Sequence, residues 1–177
     1  MNLKNKIRSI LQKNGSAISE EIKAELKDQG HVHTGKLINS VKAGTSINGD
    51  EVSLDVTMLD YHVFVEHGVR ANRIPFGGRR TGKKRSKYIE ALINYFKQKG
   101  KSEKEAKGAA FATARKHSQE GMPTRSSYQY SANNRRKEFI NESTKVSKNI
   151  DKVGTDILEA TEYEANLFLN NFEKAVR

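Results

Sequence analysis

At 177 residues the chain is long enough to bury a core of its own, yet 30% of its residues are charged and only 35% hydrophobic, with no tryptophan. It has no cysteine, which excludes disulfides and thiolate metal sites, and no apolar run approaches the roughly 20 residues of a membrane span. The net charge of +11 is concentrated: residues 70–116 hold 15 Lys/Arg against 3 Asp/Glu, whereas residues 1–69 hold 8 against 9. A localised positive field suits an anionic partner, nucleic acid or an acidic protein face, and also suits a plain solvated surface.

In chain order, Leu3, Ile7, Ile10, Leu11, Ile18, Ile22 and Leu26 recur at helical spacing and predict an amphipathic helix over about 2–28. Gly15-Ser16 is a candidate kink and Gly30 a candidate stop. The first 29 residues mix acids and bases and show no secretory h-region. Thr34 is placed to cap a short turn over Lys36–Ser40. Val41–Ile47 and Glu51–Met58 then read as a hairpin around Asn48-Gly49-Asp50. An alternating strand has one apolar face, and the first helix is the obvious cover for it.

Tyr61–His67 reads two ways. As a strand it sends Val63 and Val65 to one side, and Phe64 and Glu66 to the other; as a helix it groups Tyr61, Phe64 and Val65. The stretch from Arg70 to Lys87 has one proline, three glycines and eight basic residues, and predicts a loop. Helical spacing resumes over Lys87–Gln98 and stops at Gly100. Ser102 and Glu105 form a capping-box pair for a helix over about 103–118, which Gly121-Met122-Pro123 ends. Ser126–Ser131, with Tyr128 and Tyr130 alternating, predicts a further strand. The last helical region, about 133–176, is expected to divide at Gly154 and over 141–149. The organisation expected is residues 1–70 as a core, 71–121 as basic loop and helical insertion, and 122–177 as return strand and C-terminal helices. So small a core beside so much charge predicts an extended or multimeric form.

No motif for catalysis survives inspection. Gly77–Lys84 nearly spells a phosphate-binding loop, but Lys84 stands where a hydroxyl should reach Mg²⁺, and no buried strand precedes it. His31, His33, His62 and His67 lie within 37 residues, yet no carboxylate completes a metal motif. Glu66 beside His67 reads better as half of a structural ion pair than as a general base. The expectation is a protein that is not an enzyme and takes no cofactor or metal. The functional signal is the basic set Arg70, Arg73, Arg79, Arg80, Lys83, Lys84, Arg85 and Lys87, whose phosphate contacts would be salt-dependent and blind to sequence. No base-reading motif accompanies it.

Three pieces resemble the tail-completion and head–tail joining proteins of tailed bacteriophages. Thr34-Gly35-Lys36-Leu37-Ile38-Asn39-Ser40 matches that family's Thr-Gly-x-Leu-x-x-Ser. Tyr61-His62-Val63-Phe64-Val65-Glu66-His67-Gly68 is similar to its Tyr-x-x-x-Val-Glu-x-Gly, with Val69 in place of the usual Thr. Tyr88–Arg125, including Ala109-Ala110-Phe111-Ala112 and Glu120–Arg125, resembles a helical insertion in some virion proteins of this type. The inserted helices and the long C-terminal region depart from the family's compact pattern. The resemblance implies an α+β fold, a long N-terminal helix on a small antiparallel sheet with a helical insertion and a long C-terminal helix. It also implies that Tyr61–Gly68 is a short helix entering a loop. Thr34, Gly35, Leu37, Ser40, Tyr61, Phe64, Val65, Glu66 and Gly68 would form an assembly motif, with Tyr61, Phe64 and Val65 packing and Gly68 turning. The expected setting is the virion neck after synthesis in the host cytoplasm, as a ring of identical subunits between portal and tail proteins. The basic loop would face packaged DNA or an acidic neighbour.

Overall fold

The computed structural model describes residues 3–76, 86–141 and 144–176. The fold is α+β, as expected: a long N-terminal helix, a two-stranded antiparallel sheet, a helical hairpin and a long C-terminal helix. Its contacts divide the chain into two units. One comprises Met1–His62 with Glu138–Arg177, the other Val63–Lys137.

In the first unit, helix α1 (Leu3–Asp28) is the element on which the others pack. It ends where the sequence places its stop. Gly30 takes φ 73°, its N–H donates to Lys27 O at 2.8 Å, and His31 N–H donates to Leu26 O at 2.8 Å, so two terminal carbonyls are satisfied. A short helix α2 (Lys36–Ser40) leads to strands β1 (Lys42–Asn48) and β2 (Glu51–Thr57), paired from Lys42↔Thr57 to Asn48↔Glu51. The cross-strand pairs Ala43↔Val56, Thr45↔Leu54 and Ile47↔Val52 share the half-buried face, and α1 covers the hairpin.

Gly15 does not kink α1, which is one continuous helix. A Cβ there would sit 2.5 Å from Leu54 Cδ1 and 3.2 Å from Ala43 Cβ, so glycine is what lets the hairpin approach the helix. Another side of α1 meets helix α6 (Thr144–Val176), which runs antiparallel to it: Asn14 Nδ2 donates to Asp156 Oδ2 at 3.0 Å, and Lys6 pairs with Glu164 at 3.4 Å. Leu11, Ile18, Ile22, Leu26, Leu37, Ile38, Val41, Phe139, Val146 and Ala160 are the buried apolar residues of this unit.

The second unit is built on helices α4 (Lys87–Gln98) and α5 (Glu103–Glu120). Ser86 caps α4 by accepting from Ile89 N–H, and Gly100 closes it in the manner of Gly30. The capping box on α5 is complete: Glu105 N–H donates to Ser102 Oγ, and Ser102 N–H donates to Glu105 Oε2 at 3.0 Å. Lys97 and Lys107 both reach the Glu103 carboxylate, and their hydrogen bonds hold its pKa down to about 2. Between the helices, Ile89 and Ile93 lock against Ala106, Ala110 and Ala114, with Phe76, Tyr88, Leu92 and Phe96 around them. The alanines keep α5 close to α4.

Further sequence expectations are corrected. Ser126–Ser131 is not a strand but part of a 3-10 turn over Arg125–Tyr130. Its backbone finds partners locally, Ser127 N–H and Oγ donating to Thr124 O and Ser131 N–H to Tyr128 O, so no ladder is needed. Residues 133–141 are not helical either. Arg135 N–H donates to both Ser131 Oγ and Asn133 Oδ1 at 3.1 Å, and Asn134 and Glu138 adopt positive φ. Helix α6 begins only at Thr144 and passes through Gly154 unbroken.

Candidate functional site

The Thr-Gly-x-Leu-x-x-Ser stretch is a small joint. Gly35 occupies the N-cap of α2 at φ 66°, a left-handed conformation that glycine adopts freely. The cap position is thus Gly35 rather than Thr34, although Lys36 N–H donates to Thr34 Oγ1 at 3.4 Å. Leu37 is buried. Ser40 Oγ donates to Leu37 O at 2.7 Å and accepts from Leu59 N–H at 3.1 Å. One hydroxyl therefore fastens the end of α2 to the chain about to enter Tyr61–Gly68.

That second stretch is helical, as the resemblance implies: helix α3 spans His62–His67. Leu59 O receives His62 N–H at 2.9 Å and also lies 3.0 Å from His62 Nδ1. Glu66 is the buried member, 3% exposed. Among the described residues, Tyr61 and Phe64 are left largely uncovered. Phe64 is 61% exposed and Tyr61 42%, while Val65 is half-buried. A one-and-a-half-turn helix has two sides, and here the acid turns inward while the aromatic rings face out.

Gly68 turns as expected, at φ 72°. It delivers Val69 to Met122, and the two backbones exchange hydrogen bonds of 2.7 and 2.8 Å. The contact is tight. A Cβ on Gly68 would lie 2.4 Å from Met122 O, and one on Gly121 would lie 2.6 Å from Val69 O. Tyr61–Gly68 and Glu120–Arg125 are thus clamped together, each glycine against the opposite backbone. The sequence marks Gly68 as a turn and Gly121 as a helix end, without pairing them. Beyond the clamp, Arg125 N–H donates to Glu120 Oε2 at 2.8 Å and Thr124 is buried.

Of the basic set, Arg70, Arg73 and Lys87 are exposed. Arg79, Arg80, Lys83, Lys84 and Arg85 lie outside the described residues, as does the phosphate-loop look-alike Gly77–Lys84. Charge divides cleanly between the units: Val63–Lys137 holds 19 Lys/Arg against 5 Asp/Glu, the remainder 13 against 16. Among the described residues no group of three or more His, Asp or Glu gathers in metal-binding geometry, and no helix is long and apolar enough to cross a membrane.

A polar pair missed in the sequence spans α4 and α5. Tyr88 Oη and His117 Nδ1 are 2.6 Å apart, so the phenol can donate to the neutral ring. Burial pushes the Tyr88 pKa up to about 12, and burial lowers that of His117, against a smaller upward pull from Glu120. Below the ordinary histidine value of 6.5 the unfolded chain binds the proton more readily than the folded one, so stability falls on acidification. Above 10 the unfolded phenol ionises first, and stability falls as pH rises toward 12. Denaturation midpoints measured across pH should show both limbs. Tyr88→Phe should remove the alkaline one and His117→Gln the part of the acid one that begins below 6.5; limbs unchanged by these substitutions would contradict the assignment.

No protein-family model, curated protein or solved structure matches this chain.

Proposed function

We propose that the protein is a structural component of a tailed-phage virion, acting without catalysis as a ring subunit at the head–tail junction. The observation that carries this reading is that the chain on either side of Tyr61–Gly68 is held by a residue of another family-like piece. Ser40 of the first holds the entry to the second through Leu59, and Val69 at the exit of the second pairs with Met122 of the third. Residues that serve only a fold need not cluster at the ends of one exposed helix. Those that present it do, and Phe64 is presented there with most of its ring in solvent. The excess positive charge of the unit Val63–Lys137 then serves for contact with packaged DNA or an acidic virion neighbour.

Quantitative mass spectrometry of density-banded particles tests the proposal. A low, fixed copy number near that of the portal is expected. Presence in the infected-cell lysate but absence from particles would sink it.

The charge of that unit also favours a second reading, a small nucleic-acid-binding protein acting through residues 70–87 without a ring. It requires salt-sensitive duplex binding by the isolated protein, abolished by charge reversal at Arg79, Arg80, Lys83 and Lys84. Isolated protein that binds no duplex at low salt removes it.

A further inference from the structure

Helix α6 has more than one apolar side. Val146, Val153, Ile157 and Ala160 form the side buried or half-buried against its own unit. A second stripe follows Ile150, Gly154, Leu158, Ala165, Phe168 and Phe172, at spacings that keep one side of the helix. Here Ile150 is 55% exposed, Leu158 58%, Phe168 69% and Phe172 60%. Gly154 lies within this stripe, and a Cβ built there meets nothing within 4 Å. Glycine is a poor helix former, and nothing among the described residues requires one at this position.

The order of sizes along the stripe supplies a requirement. Reversed about Thr161, the stripe matches itself: Ile150 falls opposite Phe172, Gly154 opposite Phe168, and Leu158 beside Ala165. Large faces small where the largest ring would otherwise collide. A parallel alignment would instead set Phe168 against Phe168 and leave a hole at Gly154.

We infer that α6 pairs antiparallel with α6 of a second copy of this chain, Phe168 of each seated over Gly154 of the other. The arrangement is isologous, with Thr161 on the twofold axis. Phe172 then reaches a groove of about 540 Å³ in the partner, lined by Ile18, Ile22, Leu54, Val56 and Ile150 among others. It cannot fill its own groove, because the 22 residues of helix from Ile150 to Phe172 hold the two about 33 Å apart. With roughly 100 Å² of exposed apolar surface on each of Ile150, Leu158, Phe168, Leu169 and Phe172, two copies would bury about 1,000 Å², the lower bound for a specific interface. The pairing does not depend on the virion reading and concerns the free protein.

Sedimentation of the full chain should find a species of twice 19.9 kDa that dissociates on dilution. Phe168→Asp should weaken it by about 100-fold or more, and Gly154→Leu should do the same while leaving the helix signal in circular dichroism intact. Because the chain has no cysteine, single replacements report the register. Thr161→Cys should cross-link to itself on mild oxidation, whereas Ala165→Cys should not, its sulfurs lying about 12 Å apart along the helices. A chain that stays monomeric at every concentration, an assembly indifferent to Phe168→Asp or Gly154→Leu, or efficient self-linking through Ala165→Cys would each overturn the inference.

Discussion

Gly68→Ala and Gly121→Ala should each cost about 3–5 kcal/mol, the sum of a disfavoured backbone and a broken pair of hydrogen bonds. Gly68 sits at φ 72°, and its new methyl would lie 2.4 Å from Met122 O. Gly121 is more constrained still, at φ 85° and ψ −170°, a region that side chains other than hydrogen scarcely visit. In both cases the obstacle is a backbone carbonyl, which cannot swing aside as a side chain can. Gly100 provides the control. It shares a positive φ, 84°, but a Cβ there meets nothing within 4 Å, so Gly100→Ala should cost only about 1 kcal/mol. Urea midpoints rank the three variants. Hydrogen exchange at Val69 and Met122 should accelerate in the first two and not in the third. Equal effects at all three positions would mean that backbone strain alone, and not the clamp, sets the cost.

Ile89→Ala should destabilise the unit Val63–Lys137 by about 2–5 kcal/mol, because the side chain is wholly buried and its neighbours cannot close the gap. Those neighbours across the interface are Ala106, Ala110 and Ala114, which have no side-chain length with which to relax. The complementary change, Ala110→Leu, should also destabilise, by about 1–3 kcal/mol, through overpacking. The double variant restores volume, so it should lose less than the two single costs combined. Simple additivity, measured by denaturant unfolding, would show that the two positions do not share one packed space.

Much of this fold is legible in short stretches. Leu26 to Gly30, Asn48-Gly49-Asp50, and Ser102 with Glu105 each specify a local conformation through neighbours a few residues away, and each forms as expected. The errors fall where local patterns are satisfied in more than one way. Tyr128 and Tyr130 alternate as in a strand, but a strand needs a partner edge and the serines around them offer hydrogen bonds at once. Gly15 and Gly154 look like breaks, whereas a helix tolerates a glycine at modest cost when flanking turns are held by packing. The antiparallel contact of α1 with α6 has no local signal, since Asn14 and Asp156 are 142 residues apart.

The candidate site was legible as residue types but not as geometry. Ser40 and Gly68 stand out in the sequence, and their partners Leu59 and Met122 do not. The exposure of Phe64 likewise has no sign in the local pattern.

One of the two units is interrupted and the other is not. Val63–Lys137 is a single run of chain, while α1 and the β hairpin must wait for α6. On the ribosome the helical hairpin is therefore whole while the partner of Asn14 and Lys6 is still unmade. Folding order follows from topology: the interposed segment can settle by itself, and the older half remains open until Glu138–Arg177 emerges.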